Sequence, residues 1–164
     1  MEELQIYFYT YLAAFIGVVP PGLVNMSVAK TCLNKGKRNA IFMAVGASII
    51  VLLQALIAVL ISKYIFSNPY MKSMFLKTGI AILILMFFYF ILSAKRQSTQ
   101  QQIKKRAGTK SFFSGILISA LNIFPIPYFV LIGTLLSNHY NLKFSITTDV
   151  FCALSAALGT FTTL

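Results

Sequence analysis

From Asn39 to Ser62 the chain runs without a single charged residue. A helix of about 20 apolar residues crosses the hydrocarbon of a bilayer, and this stretch is of that kind. It is one of several. The first block runs from about Ile6 to Ala29, the third from about Met74 to Leu92, and the fourth from about Phe112 to Leu136. A fifth opens near Thr148 and is still running at Leu164. Short polar or basic stretches separate them, which is the spanning pattern rather than that of a soluble core. Composition agrees. Residues are 58% hydrophobic and 10% charged, against about 25% charged in soluble domains. We therefore expect an all-α integral membrane protein.

The net charge is +11, from 14 Lys and Arg against 3 acids. In a soluble protein that balance points to nucleic acid. Here the basic residues lie between apolar blocks, as the positive-inside rule predicts, and no nucleic-acid partner is expected. After blocks one and three come Lys30, Lys35, Lys37 and Arg38, then Lys95, Arg96, Lys104, Lys105, Arg106 and Lys110. The other side holds only Lys63, Lys72, Lys77 and Lys143. The expected orientation puts the N-terminus outside and the flexible Lys95–Lys110 linker in the cytoplasm, touching anionic lipid head groups. The acidic start, Met1-Glu2-Glu3, lacks the positive region of a signal peptide, so the first block reads as a retained span.

Small residues crowd the last block: Ala153, Ser155, Ala156, Ala157, Gly159 and Thr160. Such a face wants a packing partner. We expect a sixth span beyond a chain truncated within or after its fifth. The expected division is residues 1–94 as a first three-helix repeat, 95–110 as the linker, and 111–164 as a second repeat. A homodimer is compatible with the small-residue faces.

The residues that carry chemistry elsewhere are sparse. Cys32 and Cys152 have no CxxC partner, so neither zinc nor redox chemistry is signalled. The one histidine, His139, falls in an expected loop, and Asp149 falls near a membrane edge, where it reads as interfacial. With no nucleophile–base pair and no metal cluster, neither an enzyme nor a bound cofactor is expected.

The informative residues are the helix breakers. Block one is interrupted by Pro20-Pro21-Gly22, and block four by Asn122, Pro125 and Pro127. Proline removes a backbone donor and clashes with the carbonyl four residues back, which disturbs the carbonyls of Ile16, Gly17, Leu121 and Ile123. In hydrocarbon such groups need protein, water or ligand. A single proline kink is usually structural. Two double breaks in corresponding spans that cross in opposite directions point to a transporter site between inverted repeats. New half-helices beginning at Gly22-Leu23 and at Tyr128-Phe129 offer N–H groups and a partial positive charge to a carboxylate. Freed carbonyls and the side-chain oxygens of Asn25 and Asn122 offer acceptors to an ammonium. A zwitterion fits. The candidate substrate-binding residues are Gly17, Pro20, Pro21, Gly22, Asn25, Gly46, Asn122, Pro125 and Pro127, with Gly46 doubling as a helix-packing notch.

From Phe15 through Gly17, Pro20, Pro21 and Gly22 to Asn25, the sequence resembles the LysE/RhtB amino-acid exporter family, whose first helix carries an aromatic-small approach, Pro-Gly-Pro and a short polar position. Asn34 to Ala40 with Ala44-Val45-Gly46, Phe113-Ser114-Gly115 to Asn122 and Pro125, and Gly159-Thr160 are similar to its later segments. Leu23 stands where the family has a second proline. The resemblance implies five to six transmembrane helices in two inverted three-helix repeats, helices one and four broken at Pro, in a bacterial cytoplasmic membrane. It implies export of amino acids or similar small metabolites, coupled to the proton gradient. Between Ile49 and Ile61 the only polar group is Gln54, where many relatives carry an acid, so a neutral amino acid is the expected substrate. The alternative is a membrane scaffold or assembly subunit that transports nothing.

Overall fold

The computed structural model describes residues 2–20, 22–66, 108–140 and 145–164, with isolated helical positions between Tyr70 and Phe88. Regular structure among the described residues is helical throughout: α1 (Glu2–Val18), α2 (Leu23–Lys35), α3 (Lys37–Phe66), α4 (Gly108–Leu121), α5 (Pro125–Tyr140) and α6 (Ile146–Thr163). Most of the expected linker, residues 95–107, lies outside the described residues, as do Pro21 and much of the third block.

The apolar blocks become these helices with shifted ends. Block one is two helices reaching from Glu2 to Lys35, and α3 extends from Lys37 to Phe66. At 1.5 Å per residue α3 is about 45 Å long, longer than a bilayer core. α3 and α6 are each long and apolar enough to cross a membrane. The pairs α1–α2 and α4–α5 qualify as single bent spans, with bends of 70° and 66°. The described residues thus hold up to four candidate spans. His139 lies in the last turn of α5 rather than in a loop, because the apolar run carries the helix past Leu136.

The bundle is patterned the opposite way from a soluble one. On α4 the buried face is Ser111, Gly115 and Ser119, at i, i+4 and i+8, while Phe113, Leu117 and Leu121 point outward. On α6 the inner face holds Cys152, Ala153, Ala156, Ala157, Gly159 and Thr160, and Val150, Phe151, Leu154 and Leu158 face out. Large apolar side chains outside and small ones inside suit lipid as the solvent, where helices associate by close backbone approach.

α3 is the hub, and α2, α4, α5 and α6 all pack on it. Its buried stripe runs Ala40, Ala44, Ala47, Val51, Ala55, Ala58, Ser62 and Ile65, in steps of three or four residues along one helical face. At the crossing with α4, a side chain on Gly46 would collide with the Phe112 carbonyl, and one on Gly115 with the Met43 carbonyl. Ser119 Oγ donates to Ala47 O across the same contact at 3.2 Å. Gly36, at φ +88°, turns the chain from α2 into α3.

Candidate functional site

The first break begins where α1 ends at Val18. The N–H of Val19 bonds to Ile16 O at 3.2 Å, closing a tight last turn. Gly22, just before α2 starts at Leu23, is extended (φ −109°, ψ 176°). Asn25 folds back over the gap. Its Nδ2 donates to Val18 O and, at 2.9 Å, to Pro20 O. The amide nitrogen of Asn25 is therefore committed to the backbone, and Oδ1 is what it can offer a ligand.

The start of α2 is bare. Gly22 provides no side-chain cap, and the first helical bond runs from Met26 N–H to Gly22 O at 3.0 Å. The N–H groups of Leu23, Val24 and Asn25 are the orphans of a helix N-terminus, without a partner among the described residues. Together with the helix dipole they favour an anion.

The second break is built differently. α5 begins at Pro125, not at Tyr128, because proline suits the first helical position, where no N–H is needed. Pro125 and Pro127 have no N–H to give. The N–H of Ile126 goes to Ile123 O at 3.2 Å and that of Tyr128 to Phe124 O at 3.4 Å. The first turn of α5 is left with no free donor, so the N–H groups expected at the start of both half-helices are open, among the described residues, only at α2.

Its carbonyls are satisfied from a neighbour. Gln54 of α3 sends Nε2 to Asn122 O at 2.8 Å and to Ser119 O at 3.2 Å. The expected disturbed carbonyls were those of Ile16, Gly17, Leu121 and Ile123. Ile16 and Ile123 instead keep turn bonds, and the side-chain donors serve Val18, Pro20, Ser119 and Asn122. The chain answers each proline by tightening into three-residue turns, which moves the exposed carbonyls along.

The two breaks meet at Tyr128. Its hydroxyl donates to Ala13 O at 2.7 Å, and its ring covers Gly17, where an added Cβ would sit 2.8 Å from Cζ. Gly17 is thereby placed against the helix that starts with Pro125 and Pro127, Asn122 lies just past the end of the preceding one, and α2, which carries Asn25, packs on α3 and α4. Gly46 is elsewhere, its missing side chain replaced by Phe112 and Ile116 of α4. Gln54 and Tyr128, named in the sequence for other reasons, were not among the candidate binding residues, yet their side chains reach the backbone of α4 and α1. A lone amide in an otherwise apolar span was the available signal for the first.

One residue beyond Tyr128, at Phe129, begins a small cavity of about 30 Å³ enclosed by α1, α3, α5 and α6. Asp149 lines it. This residue is in the first turn of α6 and is buried by protein. It is 6% exposed, and its Oδ2 accepts from Lys63 Nζ at 2.9 Å. Packing of α6 against α3 encloses it, a contact across the fold that the apolar runs do not reveal.

A family model described as LysE type translocator matches residues 15–160, a range that includes both breaks, Gln54, Tyr128 and Asp149. No curated protein and no solved structure matches the chain.

Proposed function

The chain belongs to the LysE type translocator family, a family of multi-pass membrane proteins that move amino acids or related compounds, and on that ground we propose that it exports small zwitterions by alternating access around its two helix breaks. The observation that carries the reading is the seat of Tyr128 on Gly17 and Ala13, which ties the start of α5 to the last turns of α1.

The substrate carboxylate sits at the uncapped start of α2, on the N–H groups of Leu23, Val24 and Asn25, next to Pro20, Pro21 and Gly22. Its ammonium takes the side-chain oxygens of Asn25 and Asn122. No acid among the described residues lies at the breaks, which favours a neutral side chain. Transport follows from two inverted repeats moving against each other. The crossings support that relation. Gly159 of α6 sits on the Tyr11 carbonyl and Ala14 of α1 much as Gly46 of α3 sits on the Phe112 carbonyl of α4. In each case a glycine of one span receives the first half of a bent one. The N-terminus lies outside a bacterial cytoplasmic membrane and the basic end of the bundle inside, with the outward-facing apolar side chains in lipid.

The test is efflux from cells expressing the full-length gene and preloaded with labelled amino acids and dipeptides. Faster loss of one or a few neutral amino acids than from vector-only cells is the expected result. Equal loss of every solute, with the protein present in the membrane, would overturn the reading and return the scaffold alternative.

A further inference from the structure

The cavity beyond Tyr128 has a chemistry of its own. Thr10 Oγ1 donates to Ile6 O at 2.8 Å and Ser62 Oγ to Val59 O at 2.8 Å. Both hydroxyls line the cavity, and both spend their hydrogens on their own helices, so what remains to them is lone pairs. Asp149 Oδ1 is a buried acceptor without a partner among the described residues, and the hydroxyl of Ser137, which can donate or accept, has none there either. The lone pairs of Thr10 and Ser62 beside a buried carboxylate suit a guest that is a hydrogen-bond donor and a cation.

Size narrows the guest. A cavity needs about 10–15 Å³ to hold a water, so about 30 Å³ takes a group the size of –NH3+ and not an entire amino acid. The structure already contains such a pair, because Lys63 Nζ lies 2.9 Å from Asp149 Oδ2. The Lys63 side chain is 34% exposed and that of Asp149 8%, so the lysine reaches the carboxylate from the rim while Oδ1 faces inward. Two cations on one carboxylate in a low-dielectric site are costly. A guest on the inner oxygen therefore displaces Lys63, and the return of Lys63 expels the guest.

We propose that the Asp149–Ser137 cavity is an exit subsite for a primary ammonium group, with Lys63 as its tethered competitor. It deepens the export reading, on which it rests. The substrate's ammonium leaves the breaks past Phe129, pairs with Asp149, and is driven off as Lys63 returns.

The site can be tested by binding alone. In a full-length Cys32→Ser background, the buried thiol of Cys152 reports unfolding to a thiol-reactive dye. Methylammonium chloride should raise the melting temperature saturably, and choline chloride at equal ionic strength should not. Asp149→Asn should abolish the shift, and Ser137→Ala should weaken it. Lys63→Met should lower the half-saturating concentration on the order of tenfold, the loss of a competitor worth one decade of affinity. Should Asp149→Asn fail to fold, the opposed movements of Ser137→Ala and Lys63→Met decide the matter. A methylammonium shift no larger than that of choline, or one that survives Asp149→Asn, would overturn the site. An equal shift with sodium chloride would overturn the ammonium assignment in favour of an inorganic cation. Saturable methylammonium binding without amino-acid efflux would count against export and leave the site standing. Efflux without binding would do the reverse.

Discussion

Gln54 and Asn122, 68 positions apart in the chain, are joined by a 2.8 Å hydrogen bond from the Gln54 amide to the Asn122 carbonyl. The same amide reaches Ser119 O at 3.2 Å. A continuous helix thus supplies the donor that the broken one lacks. In an apolar setting a carbonyl left without its partner costs about 1–3 kcal/mol. Gln54→Leu should destabilise the protein by about that amount, read as a lower midpoint in thermal unfolding in detergent. Gln54→Glu, whose ionised form has no hydrogen to give, should do no better. An unchanged midpoint in both would mean that the end of α4 is held by something else.

Two glycines separate packing from binding. At Gly46 a methyl group meets the Phe112 carbonyl, which cannot move without moving α4. Gly46→Ala should cost about 1–3 kcal/mol, as overpacking does, and lower the yield of folded protein. At Gly22 an added Cβ meets only Pro20 O at 3.8 Å, and the backbone there is extended, so Gly22→Ala should melt like wild type. If the start of α2 holds the substrate carboxylate, the same variant should export more slowly. Wild-type efflux from Gly22→Ala would remove the α2 terminus from the mechanism.

The contact between the breaks can be weakened by one atom. Tyr128→Phe keeps the ring on Gly17 and removes the hydroxyl that bonds Ala13 O at 2.7 Å. A net loss of about 1 kcal/mol is expected for such a bond. Because the bond ties α5 to α1, efflux should fall by more than the yield of folded protein does. Gly17→Ala, which pushes against the ring itself, should be the more severe of the two. Efflux from Tyr128→Phe that simply tracks folded protein would make the bond structural.

How much of this was legible in the sequence depends on range. The helices, the two breaks and the bare start of α2 were readable, because apolar block length, proline and glycine act on their own neighbourhood. The partners were not. Asn25 reaches back only to Val18 and Pro20, yet its role as a backbone donor depends on how the chain turns between them. Gln54 with Asn122, Tyr128 with Ala13 and Lys63 with Asp149 are pairs set by which helices touch, and a single sequence carries no record of that. Lys63 served as one charge in a topology count and Asp149 as an edge residue. Neither description speaks of the packing that buries the carboxylate.

Orientation is open to a direct check through the cysteines. Cys32 is exposed near the basic end of α2, and Cys152 is buried on α6. In a Cys152→Ser background, a membrane-impermeant maleimide should leave Cys32 unlabelled in intact cells and label it once the membrane is permeabilised. The expectation follows from Lys30, Lys35, Lys37 and Arg38, which flank Cys32 in the sequence and which the positive-inside rule assigns to the cytoplasm. Labelling of intact cells would turn the bundle over. The Lys63–Asp149 pair would then face the cytoplasm, where a carboxylate in exchange between a tethered and a free ammonium would load substrate rather than release it.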